Sequence, residues 1–117
     1  MVNELANTAG MVIRDKADQS ILTVLRHGDF RIGRAPDNDL RIENPTISGQ
    51  HARIYTYLTV SYIEDLDSTN GTFVDGKRIH KHVLKPGNVI RLGTHELILE
   101  EQQTNEALTQ MIRVAAN

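Results

Sequence analysis

Hydrophobic and polar residues alternate in short runs between positions 11 and 100, and a polar or Gly-containing break follows every eight to twelve residues. A period of two is typical of strands with one buried face, and breaks at this spacing are typical of a sandwich or barrel. The segments that fit are 11–14, 21–26, 30–33, 40–42, 52–57, 60–66, 72–74, 83–84, 89–92 and 96–100. The pattern predicts an all-β protein of about ten to eleven short strands, arranged as a β-sandwich or a barrel.

The connections between these segments are of two kinds. Three of them are tight turns with residues that tolerate a positive φ or preset φ: His27-Gly28-Asp29, Asp75-Gly76 and Pro86-Gly87-Asn88. Three others, 34–39, 43–50 and 67–71, are dense in polar side chains, and the first two are longer than hairpin turns. Loops of this kind more often carry function, so we expect the functional residues there.

The C-terminal segment has a different period. Leu108, Met111, Ile112 and Ala115 have the i, i+3, i+4, i+7 spacing of an amphipathic helix. We expect this short helix to pack on the domain, with a dimer contact or a linker as alternatives. The predicted organisation is an N-terminal tail at 1–10, a sandwich domain at 11–100 and a C-terminal tail, with the candidate helix, at 101–117.

Length and composition narrow the class of protein. The chain has 117 residues, 39% of them hydrophobic, which is enough for one domain with its own core. It contains no Cys, which excludes disulfides, a thiolate nucleophile and Cys-ligated metal centres. We recognise no signal peptide and no membrane-spanning stretch, so we expect a cytoplasmic protein that does not contact membranes.

Charge is distributed unevenly along the chain. The formal net charge is −2, yet residues 75–91 contain five Lys or Arg side chains against one carboxylate. This stretch lacks the aromatic residues that stack on nucleic-acid bases, so we interpret it as a basic strand edge and expect no nucleic-acid partner.

The sequence offers residues for a hydrolytic active site and for a metal site, but supports both poorly. Ser48, His51 and Asp67 suggest a hydrolytic triad, but no nucleophile-elbow motif surrounds Ser48. His80-x-His82, with His95 elsewhere, offers two imidazoles but no spacing that implies a third ligand. We therefore predict no enzyme activity, no metal and no cofactor.

A set of ordered motifs carries a more specific signal. Gly33-Arg34 is followed by Ser48-x-x-His51, then by Ser68-Thr69-Asn70-Gly71-Thr72 and Asp75-Gly76. Together these motifs resemble the forkhead-associated (FHA) domain over residues 20–100. The resemblance implies an antiparallel β-sandwich of about ten to eleven short strands whose loops bind phosphothreonine, a form of phospho-motif recognition by Arg.

The resemblance assigns the binding roles to five residues: Arg34, Ser48, Gly49, Thr69 and Asn70. Arg34 suits a phosphate because its planar, permanently charged fork donates two parallel hydrogen bonds, although an ion pair with a nearby Asp would also explain it. The Ser48 hydroxyl and the Gly49 amide are expected to bind phosphate oxygens. Thr69 is expected beside the phosphate, and Asn70 is expected to hold the peptide main chain. Many family members carry Arg, Lys or Asn in place of Gly49, so one side-chain contact is missing here.

Other residues are expected to support the site. By resemblance, His51 holds its loop from inside without touching the ligand, and Gly33 and Gly71 give structural support. The loop with Thr46 is a weaker candidate for peptide specificity.

The predicted function is a phosphothreonine-dependent protein-binding module in signalling downstream of Ser/Thr kinases. Its partner is a Thr-phosphorylated protein or peptide and, indirectly, a kinase, and the chain is expected to be a monomer or to self-associate weakly. The alternative is a phosphate-independent interaction or oligomerisation module on the same scaffold.

Overall fold

A computed structural model describes residues 7–101 and places them in two β-sheets. The strands, in chain order, are β1 (Val12–Asp15), β2 (Ile21–Val24), β3 (Gly28–Gly33), β4 (Leu40–Arg41), β5 (Ala52–Tyr57), β6 (Val60–Asp65), β7 (Thr72–Val74), β8 (Lys77–Ile79), β9 (Lys81–Val83), β10 (Val89–Leu92) and β11 (His95–Glu100). One sheet has the order β2-β1-β11-β10-β7-β8, and the other has the order β4-β3-β5-β6-β9. The predicted β-sandwich is confirmed, whereas the predicted C-terminal helix lies outside the described residues.

The core is aliphatic and follows the predicted alternation. Ala52 and Ile54 on β5 and Ile63 on β6 are buried on the inner face of the five-stranded sheet, opposite Ile90 and Leu97 of the other sheet. Two hydroxyls also point into this layer, and Thr56 Oγ1 and Ser61 Oγ lie 2.7 Å apart, so each satisfies the other. None of the described residues forms a helix that could cross a membrane.

The strand pairing departs from a purely antiparallel pattern at one place. β4 pairs with β3 in parallel, with Ile32 opposite Leu40 and Gly33 opposite Arg41. The 34–39 loop must therefore carry the chain back along the sheet before β4 begins. The sheet order puts β4 at one edge of the five-stranded sheet, directly beside the strand that ends at Gly33.

Two strands differ most from the sequence prediction, whereas the bounds of the others agree with it within two residues. β8 has the sequence Lys-Arg-Ile and lies at a sheet edge, so its exposed polar residues give no alternation to detect. β9 covers Lys81–Val83, whereas the prediction was 83–84; Leu84 is buried but follows the strand. Both segments are solvent-facing edges, where the hydrophobic pattern is weakest.

The predicted Asp75-Gly76 turn is confirmed. Both residues have positive φ, 51° and 84°, as a two-residue hairpin turn between β7 and β8 requires. The Asp75 carboxylate accepts hydrogen bonds from Val89 N–H and Asn88 Nδ2, which fastens the hairpin to the start of β10. By contrast, the predicted break at residues 27–29 lies earlier, because β3 already begins at Gly28.

Part of the segment predicted as an N-terminal tail packs on the sandwich. Thr8 is fully buried, and its backbone N–H donates to the carbonyl of Thr59 at 2.8 Å. The contact lies at the turn between β5 and β6. This turn is at the opposite end of the sandwich from the 34–39 and 66–71 loops, because β5 and β6 are adjacent antiparallel strands.

Candidate functional site

Three polar loops emerge at the same end of the five-stranded sheet. β3 ends at Gly33, β5 begins at Ala52 and β6 ends at Asp65, and these three strands are adjacent and antiparallel. Three loops therefore meet at this end of the sheet: 34–39, 42–51 and 66–71. These are the connections that the sequence identified as functional.

Gly33 allows the first two loops to touch. A Cβ at this position would overlap the Gly49 carbonyl oxygen and come within 2.7 Å of Asn38 Nδ2. With no side chain in the way, Arg34 N–H donates to the Ser48 carbonyl at 2.9 Å and Ala35 N–H donates to the Gly49 carbonyl at 3.1 Å. The close approach thus fixes Arg34 beside the 42–51 loop.

Arg34 is oriented without being neutralised. Its Nε donates to the Ile47 carbonyl at 3.0 Å, and its side chain is exposed. Among residues 7–101, no carboxylate pairs with it and no oxygen accepts from its two terminal nitrogens. Asp37 instead accepts from Gln50, and Asp39 from the Arg31 N–H, so the ion-pair alternative for Arg34 is wrong.

Ser48 and Gly49 supply two further donors. Ser48 Oγ accepts the Thr69 N–H at 2.9 Å, which joins the 42–51 loop to the 66–71 loop. Within the described part of the chain, neither the Ser48 hydroxyl hydrogen nor the Gly49 N–H has an acceptor. A hydroxyl and an amide of this kind are ready to donate to an anion.

Thr69 and Asn70 are both exposed at the rim of the site. Asn70 Nδ2 donates to the Thr46 carbonyl at 2.8 Å, a second bond between the 42–51 and 66–71 loops. Asn70 Oδ1 accepts from none of residues 7–101. The side-chain amide is therefore held at one end and keeps its acceptor oxygen available.

Thr46 serves the loop's own structure through its hydroxyl. Thr46 Oγ1 donates to Asn44 Oδ1 at 2.7 Å and accepts the Thr94 N–H at 2.9 Å. These bonds attach the 42–51 loop to the β10–β11 turn. A role for Thr46 in peptide specificity stays a prediction.

His51 lies beneath the site and contacts both sides of it. Its side chain is fully buried; Nδ1 accepts the Ser48 N–H at 3.1 Å and Nε2 lies 2.9 Å from the Gly71 carbonyl oxygen. A carbonyl can only accept, so Nε2 carries the hydrogen and the imidazole is in the Nε2–H tautomer. One ring thus bridges the 42–51 and 66–71 loops.

Asp65 and Ser68, to which sequence reasoning gave no role, organise the 66–71 loop. The Asp65 carboxylate accepts from the Ser68 and Thr72 hydroxyls and from the Ser68 N–H, while Ser68 Oγ accepts the Gly71 N–H. Burial alone would raise the pKa of Asp65, but the hydrogen bonds from Ser68 and Thr72 outweigh it and lower that pKa below 3.8. The three-residue spacing of Asp65 and Ser68 is the signal that could have revealed this turn.

Asn38 is a second supporting residue that sequence reasoning missed. It is 9% exposed, and its Nδ2 donates to the carbonyls of Ala35 and Gly49 at 2.8 and 2.7 Å. It therefore holds the 34–39 loop against the 42–51 loop. In the sequence it lies between two aspartates, in a stretch that has the composition of an ordinary solvated loop.

The structure does not assemble the alternative chemistries. His51 Nδ1 faces the Ser48 amide and not its hydroxyl, so no Ser-His pair forms. Asp67 is exposed and accepts from no His ring among residues 7–101. No cluster of three or more His, Asp or Glu suited to a metal occurs in that same range, and His95 is bonded to Asp15.

We predict that His51→Ala destabilises the domain by about 3 kcal/mol, because it removes a buried ring and leaves polar groups of two loops without partners. Thermal and denaturant unfolding would measure the loss. The exposed His82→Ala is the control and should unfold like the wild type. Wild-type stability of His51→Ala would contradict the bridging role.

We predict that the contribution of Asp65 to the free energy of unfolding depends on pH. Its folded-state pKa lies below the unfolded value, so the contribution is complete above that value and is lost as the pH falls through the folded-state pKa. The difference in unfolding free energy between wild type and Asp65→Asn should therefore shrink as the pH is lowered from about 5 to about 2. Urea unfolding at a series of pH values measures it, and a difference that stays constant would exclude this role for the carboxylate.

Comparison with known proteins identifies relatives of the chain. A family model described as the FHA domain matches residues 30–93. The ABC transporter ATP-binding/permease protein Rv1747 of Mycobacterium tuberculosis is 33% identical over 98 residues, which is 84% of this chain and 11% of that protein. The FHA domain-containing protein FhaA of the same organism is 39% identical over 75 residues, which is 64% of this chain and 14% of that protein. The chain thus spans a small part of these relatives' length.

A solved structure has the same fold over nearly its whole length. It comes from a structural and functional analysis of phosphothreonine-dependent FHA domain interactions and superposes with a TM-score of 0.73 at 32% identity, covering 79% of this chain and 96% of that one. The family match covers more than half of the chain and includes Arg34, Ser48 and Asn70. The sequence resemblance is thereby confirmed, and this chain belongs to the FHA domain family.

Proposed function

We propose that this chain binds a phosphothreonine in an extended segment of a partner protein, through Arg34, Ser48, Gly49, Thr69 and Asn70. One observation carries the proposal. Hydrogen bonds between the three loops hold close together several donors that have no acceptor among residues 7–101. The structure analysed as part of phosphothreonine-dependent FHA domain interactions supports the same ligand class.

The donors at the site suit a doubly charged phosphate. A phosphothreonine presents about −1.5 to −2 charges at pH 7 and three acceptor oxygens. The Arg34 guanidinium supplies the counter-charge, and its terminal nitrogens are available because, among residues 7–101, only its Nε has an acceptor. The Ser48 hydroxyl and the Gly49 N–H supply uncharged donors from the adjoining loop.

The 66–71 loop supplies the contact to the peptide. The amide oxygen of Asn70 is free to accept a main-chain N–H from an extended ligand, and its amide nitrogen is fixed on Thr46. This bond reduces the side-chain freedom lost on binding. The Thr69 N–H donates to Ser48 Oγ, and this contact supports the proposed position of Thr69 beside the phosphate.

The γ-methyl group of phosphothreonine favours its binding over that of phosphoserine to a modest degree. Burying one methyl group contributes about 0.8 kcal/mol, and the branched side chain has fewer rotamers to lose on binding. This preference completes the proposed specificity for phosphothreonine.

The proposal places the chain in signalling by protein kinases. A Ser/Thr kinase would supply the phosphothreonine, a location in the cytoplasm would give that kinase access to ATP, and no catalytic step belongs to this chain. The layout proposed with it is a sandwich at 11–100 with flanking segments at 1–10 and 101–117, acting as a monomer or self-associating weakly.

We predict that Arg34→Ala weakens phosphothreonine-peptide binding by about 2–5 kcal/mol, because the phosphate loses its charge-assisted hydrogen bonds. Isothermal titration with phosphorylated and unphosphorylated forms of one peptide measures this loss. Arg26→Ala removes an exposed Arg that precedes β3, at the end of the sandwich opposite the site, and is the matched control, expected to bind normally. If both peptide forms bind the wild type equally, the module is phosphate-independent and the proposal fails.

We also predict that binding weakens as the pH falls below about 6, because the phosphate takes up its second proton and loses charge. The same titration repeated between about pH 5 and 8 checks this, with circular dichroism to confirm that the domain stays folded. Affinity that is flat across this range would contradict recognition of the dianion.

A further inference from the structure

Arg78 lies directly beside the proposed peptide-binding loop. A Cβ placed on Gly71 would come within 2.8 Å of Arg78 Nε, 3.1 Å of Arg78 Cζ and 3.1 Å of Phe73 Cε1. The guanidinium and the ring edge therefore cover Gly71, the residue that follows Asn70. β7 and β8 fix this position, because Phe73 and Arg78 are directly opposite each other in the hairpin.

The charge of Arg78 is not compensated. Arg78 is exposed, and within residues 7–101 it forms no ion pair and donates to no oxygen. Asp75, at the turn of the same hairpin, is occupied by Asn88 and Val89. Asp67 is exposed in the neighbouring loop and makes no pair with Arg78.

Arg78 belongs to a longer basic edge that both sheets share. β8 is the outer strand of the six-stranded sheet and β9 is the outer strand of the five-stranded sheet. The exposed cationic or imidazole side chains along this edge are Lys77, Arg78, His80, Lys81, His82 and Lys85. We refer to these six residues as the basic edge.

The basic edge is held next to the site. The His80 carbonyl accepts the Asp65 N–H at 2.8 Å, so the turn between β8 and β9 is attached to the strand that leads into the 66–71 loop. The charge of the basic edge also acts on a neighbouring carboxylate. The pKa of Glu64 is lowered mainly by its hydrogen bond from Arg53, and the charges of Lys81 and His80 in the basic edge lower it further. A ligand that passes Asn70 towards β8 therefore meets this positively charged edge.

We propose that the basic edge, with Arg78 as its nearest and specificity-determining residue, selects partners that carry acidic residues on one flank of the phosphothreonine. This inference rests on the proposed function and adds a sequence requirement to it. A carboxylate suits Arg78 because the planar fork can bind it through two parallel hydrogen bonds. The basic edge also prevents edge-to-edge strand pairing, so one set of charges serves both purposes.

The experiment compares four fluorescent peptides by anisotropy. One phosphothreonine peptide has alanine flanks, a second has aspartates on its N-terminal flank, a third has them on its C-terminal flank, and the fourth is the unphosphorylated form of the first. We expect one acidic phosphopeptide to bind about three- to tenfold more tightly than the alanine phosphopeptide, as exposed charge pairs at an interface rim allow. The gain should shrink as salt is raised.

Two variants test whether Arg78 causes the gain in affinity for the acidic phosphopeptide. Arg78→Gln should remove most of the gain and leave the affinity for the alanine phosphopeptide unchanged, which also shows that the variant is folded. Arg26→Gln makes the same charge change just before β3, at the end of the sandwich opposite the 66–71 loop, and should keep the full gain.

The outcomes separate this inference from the proposed function. Equal binding of the alanine phosphopeptide and its unphosphorylated form defeats the proposed function. Phosphate-dependent binding with no gain on either flank, an equal gain on both flanks, or a gain that Arg78→Gln retains defeats the inference alone. Displacement of the acidic phosphopeptide by a short oligothymidine at equal or lower concentration would also overturn it, since the basic edge would then bind nucleic acid.

Discussion

The bridge made by the buried His51 ring is the interaction on which the rest of the site depends. The imidazole accepts from the backbone of Ser48 and donates to the backbone of Gly71, so it fixes two loops that come from different strand connections. Neither contact involves a group that the proposed ligand needs. The Ser48 hydroxyl, the Gly49 amide and the Asn70 side chain remain on the outer surface, because the loops are held from below.

This division between inner and outer groups recurs throughout the site. Asn38, Ser68 and Asp65 take up the inner hydrogen bonds of their loops, and within the described residues the Arg34 side chain donates through Nε only. The outer donors are therefore positioned before any ligand arrives, which reduces the ordering cost of binding. Gly49 contributes an amide where many family members contribute a longer side chain. In the proposed complex the positive charge at the phosphate would thus come mainly from Arg34, with the charge of Arg78 to one side.

The sequence predicted the parts of the fold where burial imposes a pattern. In segments such as 52–57 and 89–92 burial alternates from one residue to the next, and the structure has strands with the predicted bounds. β8 was missed because Lys77 and Arg78 lie at an edge where no alternation is required. The parallel pairing of β3 with β4 was also missed, since it depends on how the 34–39 loop folds back against the 42–51 loop.

The candidate site was predictable to a similar extent. Arg34, Ser48 and Asn70 were identified through motifs, and the structure brings their loops together. Asn38 was not identified, because its role arises from hydrogen bonds to the backbone carbonyls of Ala35 and Gly49 that no local pattern specifies. Asp65 was also not identified, although its three-residue spacing from Ser68 is a local signal for the turn. The uncompensated charge of Arg78 was visible in the sequence as a basic stretch, but its position over Gly71 requires the β7–β8 hairpin.

Amide chemical-shift mapping of the folded chain with a phosphothreonine peptide tests the central claim most directly. The account predicts large shifts for the amides of Ser48, Gly49, Thr69 and Asn70 and for Arg34 Nε–H, and none with the unphosphorylated peptide. Shifts confined to the opposite end of the sandwich, around the β5–β6 turn, would contradict it, as would identical shifts with both peptides.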